Sequence, residues 1–399
     1  MNKKIVFLLN KELFEIDKYR YEFENYEKYG FSYEIHDLQK IINKKKIFDM
    51  QLNTINNKNL KKFSNYNEWK NYVEKLLIEF GPKNLAFKNQ IVPTNYKSFI
   101  INLLIKKKLK ANVIENTLKN APDQKVKENK SKYFLRSLFH FFKNPKKFFT
   151  FFNHYIFINL SKIFDLKPSI YLRFGKRSEN LIEKKIIEGH SFDYNIHLVT
   201  KNFQPKNNIK RNYALFLESP TPIFTGDANL EGINKDDKMT VKGWTNSLDK
   251  FFSFIEKELN LEILISPHPK ATHKSDTPDY YFGRKISKDL LCVSSRKAKL
   301  LITRASIGIS YGIINFIPIS FITSNEIKKN RYNHMVWQKF FANCIGNPLI
   351  NIDDYDKNHV KNSIFLLNKK KYIEYKKNYL TLREDNKVNS ELIREKLEW

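Results

Sequence analysis

Short apolar runs alternate with amphipathic stretches in the first half of the chain. Apolar runs that could form buried strands occur at 5–9, 31–36, 85–87 and 111–115. Helical patterns lie between them, near 19–29, 68–80 and 96–108. The pattern at 68–80 is clear because Trp69, Val73 and Leu76 fall on one face and Gly81 follows the last apolar residue. Strand and helix in alternation predict an open α/β domain with a parallel sheet.

The second half repeats this rhythm. The pattern predicts strands at 213–217, 261–266 and 300–303, and a helix at 244–259. A polar, proline-containing stretch at 201–210 reads as a linker between two domains. We therefore predict an N-terminal α/β domain at 1–200 and a C-terminal α/β domain at 210–368. A charged helical tail at 369–399 is expected to pack back onto the first domain.

Residues 133–164 are unusually rich in phenylalanine, with lysine and arginine interspersed. One interpretation is a pair of core helices separated at Pro145. The other is a membrane-proximal insertion, in which the rings enter the lipid interface while the cations meet anionic head groups. The clustered lysines favour the second interpretation.

Charge and cysteine content narrow the class of protein. The chain has 399 residues and a formal net charge of +29, which implies an anionic partner. Lysine is frequent throughout, and no zinc finger, recognition-helix pattern or aromatic RNA-binding strand is found, so we expect no nucleic-acid partner. Two cysteines are too few for a disulfide framework and indicate a reducing compartment. No apolar run is long enough for a transmembrane helix.

The sequence 261–270 is the most informative stretch of the chain. An apolar strand ends in a rigid Ser-Pro-His-Pro-Lys turn that presents His268 and Lys270. A histidine fixed between Pro267 and Pro269 at a strand end could donate a hydrogen bond to a phosphate and stabilise a departing nucleotide. The alternative is a histidine that only caps a turn.

Two further features could carry chemistry. Thr303, Ser306 and Ser310 line a turn between a strand and a helix, where hydroxyls and backbone N–H groups could bind an anion. Ordinary N-capping by Ser306 is the alternative. Glu115 ends a predicted strand of the first domain and could accept a proton from a hydroxyl nucleophile, although many such carboxylates are merely solvated.

Metal chemistry is not expected. The acidic pair Asp354 and Asp356 has the Asp-x-Asp spacing that holds a divalent cation in some sugar transferases. It precedes a predicted helix at 359–367, so helix capping explains it better. The sequence also lacks a Walker loop, a dinucleotide-binding glycine motif and a His-Glu-x-x-His motif.

The His268-Pro269 turn and the hydroxyl-rich turn together resemble a known family. They are similar to the motifs of metal-independent bacterial sialyltransferases and related capsule and lipooligosaccharide glycosyltransferases of the GT-B type. In that family an acidic motif ends a strand of the first domain, and Glu115 retains only its leading acid. The resemblance implies two facing Rossmann-like domains with an interdomain cleft.

The same resemblance implies a function. It predicts inverting transfer of a sugar, most simply a CMP-activated nonulosonic acid, onto a lipooligosaccharide or capsule glycan. Glu115 would be the base and His268 would stabilise the leaving phosphate. The donor would also contact Pro269, Lys270, Thr303, Ser306, Ser310 and the loop glycine Gly226. No metal or other cofactor is expected, and the enzyme would lie on the inner face of the cytoplasmic membrane.

Two alternatives remain open at this stage. A UDP-sugar glycosyltransferase or a UDP-HexNAc epimerase would have the same fold. A non-catalytic protein that binds membranes or polysaccharide would also explain the basic, aromatic segment at 133–164. Nucleotide binding separates both enzyme readings from the non-catalytic one.

Overall fold

The computed structural model describes residues 3–42, 55–117, 122, 145–176, 185–206, 212–219, 221–223, 240–269 and 279–399. Lys270, Gly226 and the first part of the aromatic insertion, residues 133–144, lie outside these ranges. Within the described residues, no helix is long and apolar enough to cross a membrane.

The first half of the chain forms a sheet of seven parallel strands in the order β3-β2-β1-β4-β5-β6-β7. The strands are β1 (Lys4–Leu9), β2 (Ser32–Asp37), β3 (Leu60–Lys62), β4 (Leu85–Asn89), β5 (Asn112–Asn116), β6 (Ile170–Arg173) and β7 (Lys185–Glu188). Every residue of the central strand β4 is buried. Burial of this kind is expected where helices cover both faces of a parallel sheet.

The second half forms a sheet of six parallel strands in the order β10-β9-β8-β11-β12-β13. These strands are β8 (Tyr213–Leu217), β9 (Glu262–Ser266), β10 (Lys285–Ile286), β11 (Leu300–Thr303), β12 (Ile319–Thr323) and β13 (Leu349–Asn351). This is the strand order of the doubly wound nucleotide-binding fold. The predicted α/β class is confirmed in both halves.

Helices connect the strands in both sheets. Those of the first half are α1 (Glu15–Tyr21), α2 (Phe23–Lys28), α3 (Gln39–Ile42), α4 (Tyr66–Phe80), α5 (Tyr96–Leu103), α6 (Pro145–Ile163) and α7 (Phe192–Val199). Those of the second half are α8 (Val241–Glu258), α9 (Leu291–Ser294), α10 (Ser310–Ile314), α11 (Asn325–Asn330), α12 (Tyr332–Ile345), α13 (Lys357–Ser363), α14 (Lys369–Tyr375) and α15 (Asn389–Leu397).

Helix α4 shows how local sequence builds these elements. The Asn65 side chain accepts a hydrogen bond from the Glu68 backbone N–H at 3.0 Å, which satisfies one free donor of the first turn. Trp69 is fully buried against the sheet. Gly81 then ends the helix with a φ of 73°, which glycine adopts without steric cost. The helix predicted at 68–80 is confirmed.

Asp356, the second residue of the acidic pair, caps α13. The Asp356 carboxylate accepts a hydrogen bond from the His359 backbone N–H at 2.7 Å. A carboxylate at a helix N-terminus is stabilised by the free N–H groups and by the helix dipole. The capping interpretation of the Asp-x-Asp sequence is therefore confirmed.

The C-terminal tail divides between the two sheets. Tyr372 and Tyr375 of α14 lie in the hydrophobic core of the second sheet. Leu392 and Ile393 of α15 lie in the core of the first sheet. Only the last helix therefore packs back on the first domain, because the tyrosine face of α14 is buried beside the strands of the second.

The chain crosses between the two sheets twice. The first crossing runs from β7 through α7 to β8, and the second returns from a π-helical turn (Lys376–Leu380) to α15. The crossings touch at an antiparallel bridge between His190 and Thr381. Helix α7 packs against helices of both halves, α1 on one side and α10 on the other.

Candidate functional site

The carboxyl edge of the second sheet is the natural place for a ligand. The strand order reverses between β8 and β11, and in doubly wound sheets ligands bind in the crevice beyond the carboxyl ends of the strands at such a point. The loop after β8 contains Glu218 and Thr221, and the loop after β11 begins at Arg304. His268 follows β9, the neighbour of β8 on the other side.

Glu218 fixes the His-Pro turn. Its buried carboxylate accepts a hydrogen bond from the His268 backbone N–H at 2.8 Å and another from the Tyr281 hydroxyl. Burial and the adjacent carboxylate raise the pKa of Tyr281, which therefore stays protonated and donating. The His268 side chain is half-buried and Pro269 is exposed, so the imidazole lies at the edge of the sheet on a rigid backbone.

The hydroxyl-rich turn is held by its own side chains. The Thr303 hydroxyl oxygen accepts a hydrogen bond from the Ser306 N–H, and the Ser306 hydroxyl oxygen accepts one from the Gly308 N–H, each at 3.1 Å. Thr303 and Ser310 are buried, and the Ser310 hydroxyl donates to the Ile307 carbonyl at 2.8 Å. N-capping by Ser306 is confirmed, and only Ser306 of the three hydroxyl residues is half-exposed.

Arg304, to which the sequence analysis assigned no role, lies at the centre of this edge. Its guanidinium donates hydrogen bonds to the Thr221 carbonyl and, at 3.1 Å, to the Thr221 hydroxyl. It also lies over the Trp244 ring, 5.5 Å from the ring centre. The side chain therefore ties the loop after β11 to the loop after β8, across the crevice where the strand order reverses.

A second guanidinium and an imidazole complete the cluster. Arg331 donates to the Thr221 hydroxyl at 3.3 Å, and an Arg304 nitrogen lies 3.3 Å from the His334 Nε2 atom. Because a guanidinium only donates, His334 must accept at Nε2. Burial, reinforced by the two arginines, lowers the pKa of His334 to about 3. The imidazole is thus neutral at physiological pH, and the net charge of the cluster comes from the arginines.

Sequence patterns gave one part of this site and missed another. His268 follows an apolar strand directly, and that signal located it. Arg304 also follows an apolar strand directly, so the same rule applied to charged residues points to it. Its partners Thr221, Arg331 and His334 come from three separate segments, and only the folded chain brings them together.

Glu115 lies on the first sheet, where two side chains engage it. The Lys106 ammonium is 2.6 Å from the carboxylate, and the Asn89 side-chain amide also donates to it. Lys106 is nearly buried, with 4% of its side chain exposed. These contacts join β4, β5 and the turn after α5, so Glu115 has a structural role there. Its role as the general base stays a prediction.

No metal-binding cluster is found in the part of the chain that the structure describes: no three histidine, cysteine, aspartate or glutamate side chains converge there. Among the described residues of the second sheet's carboxyl edge, Arg304 and Arg331 are the cations around Thr221. They carry fixed positive charge, which suits an anionic ligand such as a phosphate.

Several solved structures are similar to this chain. A variant of the wall teichoic acid polymerase TagF matches with a TM-score of 0.51 at 11% identity, covering 99% of this chain and 89% of that chain. The spinosyn forosaminyltransferase SpnP has a TM-score of 0.42 at 9% identity, over 100% of this chain and 95% of that chain.

A UDP-GlcNAc 2-epimerase from Methanocaldococcus jannaschii, in complex with UDP-GlcNAc and UDP, has a TM-score of 0.42 at 16% identity, covering 98% of this chain and 96% of that chain. No protein-family model and no curated protein sequence matches the chain. The two Rossmann-like sheets and the likeness to the polymerase establish the GT-B architecture.

Proposed function

We propose that this chain is a glycosyltransferase that takes a nucleotide-activated sugar at the carboxyl edge of the second sheet. The observation that supports this is the arginine pair Arg304 and Arg331 around Thr221, at the point where the strand order reverses. Two fixed guanidiniums in a largely dehydrated crevice bind phosphate oxygens strongly. They supply the charge that a divalent cation supplies in metal-dependent transferases.

The reaction assigns a step to each residue. An acceptor hydroxyl oxygen attacks the anomeric carbon of the donor while the bond from that carbon to the phosphate oxygen breaks. Glu115 takes the hydroxyl proton, and the electron pair leaves with the phosphate. His268 donates a hydrogen bond to the departing phosphate, which Arg304 and the Ser306 turn also stabilise. One displacement of this kind inverts the anomeric centre.

The donor proposed is a CMP-linked nonulosonic acid. CMP leaves with a single phosphate, so the charge that develops is small enough for fixed donors without a metal. A UDP-sugar remains the alternative donor, and UDP-HexNAc epimerisation the alternative reaction. The test is thermal unfolding with CMP, with UDP and with buffer alone, because a ligand that binds only the native state raises the melting temperature.

A larger shift with CMP than with UDP is the expected result. A larger shift with UDP would contradict the CMP-linked donor and favour a UDP-sugar. Product analysis with UDP-GlcNAc would then distinguish sugar transfer from epimerisation. No shift with either nucleotide would overturn the enzymatic proposal and favour a non-catalytic binding protein.

Variants test the two halves of the site. Arg304→Lys should weaken nucleotide binding by about tenfold, because the paired hydrogen bonds of the guanidinium are lost.

His268→Ala should lower the transfer rate by about 100-fold with little change in nucleotide affinity. The control is His359→Ala, which removes an exposed histidine on α13. Activity of His268→Ala within a few-fold of the wild type would contradict the assigned role.

Glu115→Gln tests the proposed base. The amide keeps the size of the side chain and its contact with Asn89 but cannot accept a proton. We expect transfer to fall by about 100-fold. The melting temperature should fall as well, because the nearly buried Lys106 ammonium loses its ion pair, so rates are compared at a temperature where the variant is fully folded. If transfer is retained, Glu115 serves only to hold Lys106 and Asn89.

We also propose that the acceptor is a membrane glycolipid reached from the cytoplasmic face. Helix α6 packs on α5 through Phe157, which contacts Phe99, and Phe164 directly after α6 contacts the same ring. Other large apolar side chains of α6 are exposed: Phe152 by 47%, Tyr155 by 62% and Ile163 by 76%. Exposed lysines flank them at 97, 162 and 167. Apolar rings beside cations fit an anionic lipid surface.

Sedimentation with anionic liposomes tests this surface. The double variant Phe152→Ser and Ile163→Ser should reduce the bound fraction several-fold, since both side chains would lose apolar burial in the lipid. Ile78→Ser is the matched control, because Ile78 is 85% exposed on α4. Equal binding of the double variant and the wild type would exclude α6 as the membrane contact.

A further inference from the structure

Three hydrogen-bond donors share one face of the first sheet at its carboxyl edge. Lys88 lies on β4, and Gln90 follows that strand, still bonded through its backbone N–H to the Leu8 carbonyl at 3.2 Å. Asn116 ends β5. Because Asn89 pairs with Glu115, the next register position sets Gln90 beside Asn116. Residues two apart on a strand share a face, so Lys88 and Gln90 point to the same side.

One hydrogen bond fixes the orientation of this group. The Lys88 ammonium donates to the Asn116 Oδ1 atom at 2.6 Å. The Asn116 amide nitrogen must therefore point away from Lys88. Within the described residues, this nitrogen and the amide nitrogen of Gln90 are buried and have no hydrogen-bond partner. A buried donor without an acceptor destabilises the folded chain, so two of them side by side indicate that an acceptor binds there.

The buried position of Lys88 also indicates that an anionic group binds here. Its side chain is 4% exposed, and burial lowers the pKa of Lys88 to about 7, although the carboxylates of Glu22 and Glu115 oppose this shift. An ammonium in such a place is stabilised by an additional anion. The Asn116 Oδ1 atom already accepts from Lys88, so the atoms that lack a partner among the described residues here are the amide donors of Gln90 and Asn116.

We propose that Lys88, Gln90 and Asn116 form a subsite for an oxyanion, the carboxylate or phosphate group of the acceptor. That the group belongs to an acceptor rests on the proposed transferase function, whereas oxyanion binding does not. The side chains of Gln90 and Asn116 are half-buried, so rotation about their side-chain bonds opens the subsite. The transferase would accordingly select acidic or phosphorylated glycans over neutral ones.

Thermal unfolding of the full chain with added oxyanions tests the proposal. The probes are D-glucuronate for a carboxylate and inorganic phosphate, each against chloride at equal ionic strength. Both should raise the melting temperature of the wild type, and the stronger probe identifies the group. Lys88→Met should weaken the response by at least tenfold. Lys70→Met, which removes an exposed lysine of α4, should respond as the wild type does.

Gln90→Met provides a second variant that is expected to fold. It replaces a buried, unpartnered amide by an apolar side chain of similar size, so the unliganded protein should be as stable as the wild type or more stable. The response to glucuronate should nevertheless weaken several-fold. A purely structural role would leave that response unchanged. The proposal would be overturned if both variants responded to glucuronate as the wild type does, or if the wild type did not respond. Water would then be the partner of the Gln90 and Asn116 donors.

The pH dependence and a nucleotide control complete the test. The affinity for glucuronate should fall as the pH rises from 6 to 8.5, because Lys88 loses its proton while the probe stays ionised. Lys88→Met should retain the CMP or UDP response of the wild type. If glucuronate binds but neither nucleotide does, the transferase proposal fails and the oxyanion subsite stands. Arg304→Lys should leave the glucuronate response intact.

Discussion

Acidification is expected to destabilise the folded chain at His190, which links the two chain crossings. The buried imidazole lies 2.8 Å from the Lys387 carbonyl through Nε2 and 2.8 Å from the Thr381 hydroxyl through Nδ1. The carbonyl can only accept, so Nε2 carries the proton and Nδ1 accepts from Thr381. The Thr381 oxygen in turn accepts from the Arg383 N–H at 3.0 Å. Protonation of Nδ1 would reverse its hydrogen bond with Thr381 and leave a positive charge on a buried imidazole.

The magnitude follows from the pKa of His190. Burial lowers it from 6.5 to about 4; Arg383 and Lys376 also lower it, while the Lys387 carbonyl and Asp385 oppose the shift. The unfolded chain then binds the proton more tightly than the folded one. The stability contributed by the neutral imidazole is therefore present above pH 6.5 and lost as the pH falls towards 4. Between pH 7 and pH 5 the loss from this residue is about 2 kcal/mol.

Urea unfolding followed by tryptophan fluorescence at pH 7, 6 and 5 measures the loss. Other groups titrate in the same range, so the comparison is with His190→Gln, whose amide can reproduce both hydrogen bonds without titrating. We expect the variant to lose about 2 kcal/mol less than the wild type between pH 7 and pH 5. His359→Gln, exposed on α13, is the control. Equal losses in His190→Gln and the wild type would refute the reasoning.

Two further predictions concern the same region. Gly175 has a φ of 77°, and a side chain there would meet the Tyr379 backbone nitrogen at 2.7 Å, so Gly175→Ala should destabilise the chain by about 3 kcal/mol in urea. Gly30→Ala, with a φ of 79° and open space around it, should cost only about 1 kcal/mol, and equal costs would contradict the close approach. Ser390→Ala removes a hydroxyl that donates to the buried Glu22 carboxylate at 2.6 Å and should cost about 2 kcal/mol. Ser363→Ala, where the hydroxyl donates only to a helix carbonyl, is its control and should cost less than about 1 kcal/mol.

The strands that the sequence revealed are those buried on both faces. The runs at 213–217 and 300–303 are apolar at nearly every position, which is how a central parallel strand must read, and both were observed with these bounds. The edge strands β3 and β10 have three and two residues and include exposed lysines. Such short polar segments are paired by the neighbouring strand and carry no pattern of their own.

The tail shows why burial can contradict local composition. Residues 369–371 are three consecutive lysines, so the sequence predicts a solvent-exposed segment. Yet Tyr372, Tyr375 and Tyr379 follow at helical spacing and enter the core of the second sheet. The lysines set the overall polarity of the segment, while a narrow aromatic stripe decides where it packs.

The candidate site divides in the same way. His268 could be located because the strand and the two prolines are adjacent in sequence. The engagement of Glu115 by Lys106 could not, because the lysine reaches the strand end through a π-helical turn after α5. The sequence does not distinguish Lys88 from the many other lysines of the chain. Its burial and its bond to Asn116 exist only after β4 and β5 pair.

The two crossings, tied at the bridge between His190 and Thr381, also determine how the halves of the molecule can move. A single linker would let one half swing and twist freely about the other. Two connections that are bridged to each other favour one motion, a hinge rotation about an axis through the bridge between His190 and Thr381. The carboxyl edges of the two sheets would then approach and separate along one arc, which in the proposed transferase would bring donor and acceptor together in a constant relative orientation.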